Sequence, residues 1–190
     1  MGVRLFAALS PPSTAIEHLL GAVSAVRVPD DGLRWTPSER LHLTIAFFGD
    51  VAELRVDDLR ARLARTAARH DAMELRFRGA GAFSRAASAQ VLWCGVDGPL
   101  DKLRSVASSC AAAGRRVGIE VDDRPYRPHL TLARSRGRAR VDVRSIVAAL
   151  GDYVGPSWPA EHLHLMASHL GPQPRYEVVD RWPLRPAYQA

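Results

Sequence analysis

Two segments of this chain repeat one pattern. "HLTIAFFGD" begins at His42 and "HLTLARSRG" begins at His129. In an extended strand, residues i and i+2 share a face. His42 and Thr44 therefore share one side of their strand while Leu43 and Ile45 share the other, and His129 with Thr131 stands against Leu130 with Leu132 in the same way. Each strand presents an imidazole beside a hydroxyl and anchors its other face in a core. Two such strands side by side would ring one small cleft with two imidazoles and two hydroxyls. The chain has seven His, and random placement would give roughly 0.2 cases of a Thr two places after a His. Finding two calls for a half-buried sheet with a polar, chemically equipped face.

The rest of the composition accommodates such a sheet. At 190 residues and 47% hydrophobic content, the chain can build one domain, or two lobes sharing a core. No apolar run approaches the ~20 residues of a membrane span, and "RLFAAL" is stopped by Pro11 and Pro12 before it could act as a signal segment. "MGVRLF" lacks the Ser or Thr of a myristoylation signal at its sixth position. A cytoplasmic protein without a membrane partner is expected. Cys94 and Cys110 sit in apolar surroundings without metal-like spacing, which predicts buried, reduced thiols. The net charge of +6 suits an anionic partner such as RNA or a nucleotide phosphate. Lys102 is the sole lysine, so an Arg-rich skew from codon bias explains the charge equally well.

Periodicity predicts alternating strands and helices. "VRLFAAL" (3–9), "LRW", "LHLTIAFFG", "MELRFRGAGAF" and "QVLWCGV" read as extended, the last two separated by a Gly, Ala and Ser stretch. Helices are predicted over 13–26 with Ser13 as N-cap, over 56–70, over "PLDKLRSVASSCAAAG" closed by Gly114, and around 143–150. The C-terminal segment reads as a hairpin turning near Gly171 and Pro172. No low-complexity linker divides the halves, so a single α+β body over 1–190 with internal pseudo-symmetry is expected.

The paired motifs stand 87 positions apart, with "RLFAAL" before the first and "RPYRPH" leading into the second. In this they resemble the two-histidine (2H) phosphoesterase superfamily, and within it the LigT-like RNA 2′,3′-cyclic phosphodiesterases, also called 2′-5′ RNA ligases. The resemblance implies a bilobal α+β fold with two pseudo-symmetric antiparallel lobes, helices outside and a central groove. It implies a monomer that hydrolyses 2′,3′-cyclic phosphate ends of RNA to 2′-phosphomonoesters without cofactor or metal. His42 resembles the family's proton donor and His129 its proton acceptor. Thr44 and Thr131 match the hydroxyls that hold the phosphate, and Arg134, five residues past His129, resembles a phosphate-binding arginine.

The residues themselves support this chemistry. Opening a cyclic phosphodiester needs a base for water and an acid for the departing ribose oxygen, and two imidazoles supply both near neutral pH. Hydroxyls and a guanidinium supply donors to the phosphoryl oxygens. Around this centre, Arg127 and Arg124 are candidates for the anion pocket or for solvated roles. Phe48 and Tyr126 are candidates to stack on a base, with a core position the alternative for Phe48, and Trp35 either walls the groove or is buried. His162 and His164 share a face that His169 does not, so these three read as a polar strand or a second groove wall rather than a metal site. Two other readings stay open: an enzyme for small cyclic nucleotides or ADP-ribose cyclic phosphate, and a non-catalytic RNA- or nucleotide-binding module.

Overall fold

The alternating segments are satisfied by one antiparallel sheet. A computed structural model describes residues 2–169, 171 and 175–186. Its strands are β1 (Gly2–Leu9), β2 (Leu33–Trp35), β3 (Leu43–Ala52), β4 (Met73–Arg85), β5 (Ser88–Asp97), β6 (His129–Ser135), β7 (Trp158–Ala160), β8 (His162–His169) and β9 (Arg175–Pro183). Its helices are α1 (Ser13–Ser24), α2 (Glu53–Ala67), α3 (Leu100–Arg116) and α4 (Arg144–Ala149). The strand order is β7-β4-β5-β6-β3-β1-β8-β9, with β2 added to β6.

That order makes two matching four-strand halves, β7-β4-β5-β6 and β3-β1-β8-β9. They join where β3 meets β6, and Leu43 opposite Leu130 is the paired position there. Beyond that rung β3 and β6 are not paired, and a groove lined from both strands lies at the junction of the halves. The fold is the bilobal, pseudo-symmetric α+β architecture that the family resemblance implies. Helices α2 and α3 pack on each other and reach β3, while α1 and α4 pack on β4. Leu59 and Leu63 of α2 and Leu103, Val106 and Cys110 of α3 are buried with Leu43, Leu130 and Leu165. Each fully buried Leu stabilises the fold by about 1.5–3 kcal/mol relative to exposure. The helices cover one face of the sheet and leave the histidine face open.

Cys94 and Cys110 are free and buried. Burial pushes both thiols up to about 12, so neither is a nucleophile at neutral pH. No described helix is long and apolar enough to cross a membrane.

Several boundaries differ from the sequence-based expectation. Pro12, not Ser13, caps α1: its carbonyl accepts from the Ala15 and Ile16 amides, and Ser13 is the first helical residue. Helix α2 starts three residues early at Glu53 and ends at Ala67. Gly114 does not close α3, which runs on to Arg116. A Cβ on Gly114 would lie 3.0 Å from the Phe48 ring, so this glycine serves close packing, and the chain turns at Gly118 with φ +73°. Gly79 and Gly81 lie inside β4, as the extended reading of "MELRFRGAGAF" expects, and the strand runs two residues further to Arg85 before a short turn into β5. A Cβ on Gly81 would sit 2.3 Å from the Trp93 indole, so glycine lets that ring cross β4. The last hairpin joins β8 to β9 near Gly171; Pro172 lies outside the described residues.

Candidate active site

The rung Leu43–Leu130 organises the site. Both leucines are fully buried, so the residues flanking them turn to the open face. Carried one residue either way, the antiparallel register sets His42 opposite Thr131 and Thr44 opposite His129. By this register each histidine stands opposite the other motif's threonine, and the two histidines lie on a diagonal across the rung.

Beyond the threonines both strands slip. Ala8 pairs with Thr44 but Ala7 with Ala46, leaving Ile45 as an extra residue. Trp93 pairs with Thr131 but Leu92 with Ala133, leaving Leu132 extra. Each bulge falls three residues past its histidine and reverses the alternation that follows. The fifth residue past each histidine is consequently turned into the groove: Arg134 in one copy, Phe47 in the other. Phe48, expected as a base-stacking candidate, is in the core at 3% exposure, whereas Phe47 is 44% exposed.

His42, Thr44, Thr131 and Arg134 line one cavity of about 360 Å³, together with Arg4, Arg34, Arg40, Trp35, Phe47 and Tyr176. His129 lines a second hollow of about 350 Å³ with Phe83, Trp93, Tyr126 and Arg127. The expectation of one cleft for all four motif side chains is thus met by three of them. His129, opposite Thr44 in register, borders the neighbouring hollow, yet its charge is felt at His42.

Both rings are held by the same device. His42 Nδ1 is 2.8 Å from the Arg40 carbonyl, and His129 Nδ1 is 2.7 Å from the Arg127 carbonyl. A carbonyl only accepts, so each Nδ1 carries a proton and each Nε2 keeps its lone pair. Aromatic neighbours fix the planes. His42 lies 4.7 Å from Phe6 and meets Tyr176 edge-on at 5.0 Å; His129 meets Phe83 edge-on at 4.7 Å. Burial is the main reason both imidazoles bind protons less readily than usual. For His42 the charges of Arg40, His129 and Arg134 act in the same direction, and for His129 those of Arg134 and Arg127 do.

The remaining candidates separate clearly. Tyr126 is no open platform for a base: its ring packs against the core and its hydroxyl donates to the Thr44 carbonyl at 2.9 Å. Burial raises that phenol well above its usual range, and the bond ties the approach to the second motif onto the first. Arg127 is exposed and supplies the carbonyl for His129. Arg124 pairs with Asp122 at the surface. Trp35 is half-buried, donates Nε1–H to Asp31 at 2.7 Å, and walls the groove. The rings of His162 and His164 lie 6.3 Å apart while His169 bonds Glu177, and the C-terminal hairpin walls the groove through Ser168 and Tyr176 instead.

Arg40, Phe47 and Tyr176 were not anticipated from the sequence. For Arg40 a signal existed, since "RLHLT" and "RPHLT" both place an arginine two residues before the histidine.

Comparison with known proteins identifies the family. The family model described as the 2′-5′ RNA ligase superfamily matches residues 11–172, and the chain belongs to that family. An RNA 2′,3′-cyclic phosphodiesterase of Thermus thermophilus is 31% identical over 195 residues, covering 96% of this chain and 91% of the relative. One from Methanothermobacter thermautotrophicus is 28% identical, covering 90% and 93%. The crystal structure of TT0787 of Thermus thermophilus superimposes with TM-score 0.80 at 30% identity, over 97% of this chain and all of that one. Escherichia coli LigT complexed with 3′-AMP gives 0.78 at 25% identity, over 97% and 99%.

Proposed function

We propose that this chain hydrolyses 2′,3′-cyclic phosphodiester ends of RNA to 2′-phosphomonoesters, with the two motif histidines as acid and base. The observation that carries the reading is the matched pair of Nδ1-anchored imidazoles, set diagonally across the Leu43–Leu130 rung. Anchoring at Nδ1 leaves one Nε2 on each ring free for proton transfer. In the proposed step, His129 Nε2 takes a proton from water as the water oxygen bonds to phosphorus. The bond from phosphorus to O3′ breaks, and protonated His42 delivers its proton to O3′, so that the phosphate stays on O2′. Proton exchange with solvent then restores both rings. Assigning donor to His42 and acceptor to His129 follows the resemblance to the family.

Thr44, Thr131 and Arg134 supply donors to the non-bridging oxygens, and they share the cavity with His42. A phosphate anion there favours protonated histidine, which offsets the burial that keeps the free rings neutral. Tyr126 acts through position, by holding the Thr44 backbone against the segment that presents His129.

The test is turnover of a short oligonucleotide ending in a 2′,3′-cyclic phosphate, with the product read by phosphorus NMR. A 2′-phosphomonoester as sole product supports the reading, with a rate unaffected by a chelator. A 3′-phosphomonoester, or no turnover of this substrate or of a cyclic mononucleotide, contradicts it.

A further inference from the structure

The groove holds more positive charge than opening one ring requires. Arg4, Arg34, Arg40 and Arg134 line it, and no carboxylate does so among the described residues. A cyclic phosphodiester brings a single negative charge. Arg4 and Arg40 have local partners: Arg4 lies over the Phe47 ring with Asp50 at 3.9 Å, and Arg40 lies over the Tyr176 ring. Arg34 and Arg134 face each other as direct partners in the β2–β6 ladder, and both are exposed. Like charges on directly opposed positions repel, and anions held along the pair relieve the repulsion.

The two arginines are not equivalent. Arg134 is close enough to both imidazoles for its charge to act on each, whereas Arg34 reaches the cavity from the neighbouring strand. Arg134 therefore stands at the reacting centre, and Arg34 stands beside it on β2, which takes up the edge of β6 that β3 leaves beyond the Leu43–Leu130 rung. Neighbouring strands lie about 4.8 Å apart, so two long guanidinium side chains can serve two neighbouring phosphates.

Resting on the function proposed above, we propose that Arg34 forms a subsite for a second phosphate, carried on O5′ of the nucleoside whose cyclic phosphate is opened. That phosphate is either the diester to the preceding nucleotide or a terminal 5′-monoester. The groove thereby selects a cyclic phosphate on a nucleotide that carries a 5′-phosphate, or that ends an RNA chain, over one on a nucleoside with a free 5′-hydroxyl.

Three substrates test this: uridine 2′,3′-cyclic phosphate, its 5′-phosphorylated form, and the dinucleotide UpU ending in the cyclic phosphate. The wild-type protein should favour both phosphate-bearing substrates in kcat/KM on the order of tenfold or more, as a charge-assisted contact supplies. Arg34→Ala should collapse that ratio through KM, and Arg34→Lys should keep part of it. Arg138→Ala, which removes the same charge from the exposed loop after β6, should retain the ratio. An undiminished ratio in Arg34→Ala, or an equal loss in Arg138→Ala, overturns the subsite. A preference for the dinucleotide alone that survives Arg34→Ala also overturns it, because the upstream nucleoside would then be recognised. Failure of the wild type to open any of the three rings contradicts the underlying phosphodiesterase reading instead.

Discussion

Leu43 faces Leu130 across the rung that joins the two halves of the sheet, and this apolar pair holds the polar pair above it. His42 and His129 each flank a leucine with no exposed surface, so the separation of the imidazoles is set by how that rung packs. Truncation of either leucine should therefore act twice. Leu43→Ala and Leu130→Ala should each cost about 2–5 kcal/mol of stability, read by chemical denaturation. Each should also lower kcat at temperatures where the variant remains folded. Full activity alongside the stability loss would show that the rung does not set the imidazole geometry.

The second expectation concerns the bulges at Ile45 and Leu132. Phe48→Ala should cost about 3–5 kcal/mol, as for other buried Phe truncations. Phe47→Ala should change stability by less than about 1 kcal/mol and raise KM, because its ring lines the groove. The reverse pattern in denaturation and steady-state kinetics would place the strand in the opposite register.

That register marks the limit of what was legible in the sequence. The i, i+2 rule located His42, Thr44, His129 and Thr131 on the open face, because the motif lies before the slip. It does not extend to Phe48, whose core position the sequence left open beside a stacking role, because a bulge is set by the partner strand: only the pairing of Ala7 with Ala46 shows it. Arg134 was reached through family resemblance, and the bulge at Leu132 supplies its physical reason. Tyr176 comes from β9 at the far end of the chain, so only the folded sheet brings it to His42. The ends of the helices moved for a similar reason: Gly114 resembles a helix stop, yet its neighbour across space, Phe48, decides its role.

The pH dependence follows from the two buried imidazoles. In the free protein both bind protons less readily than an ordinary histidine, whose value is about 6.5. The kcat/KM profile should be bell-shaped, with the acidic limb reporting the base and the alkaline limb the acid. Its maximum should lie on the acidic side of ~6.5. The kcat profile should be displaced to higher pH, because the bound phosphate favours protonated rings. A kcat/KM maximum above pH ~8 would contradict the charge environment described for these rings.

Stability should depend on pH in a matching sense. His42, His70, His129 and His164 all bind protons less readily in the fold, chiefly through burial. As pH falls below ~6.5 the unfolded chain takes up protons that the folded one does not. Unfolding free energy should therefore fall from pH ~7 toward the folded-state values and level off below them. His42→Gln should make that slope shallower in denaturant titrations. An unchanged slope would mean that His42 titrates normally in the fold.

The most direct measurement is the rate of His42→Ala, His129→Ala and the double variant on an oligonucleotide ending in a 2′,3′-cyclic phosphate. Each single substitution should lower the rate on the order of 10² to 10⁴-fold, the range for a positioned acid or base. The double variant should lose far less than the product of the single losses, because the two rings act in one step. Full activity in either single variant, with its fold intact, would contradict the paired acid and base.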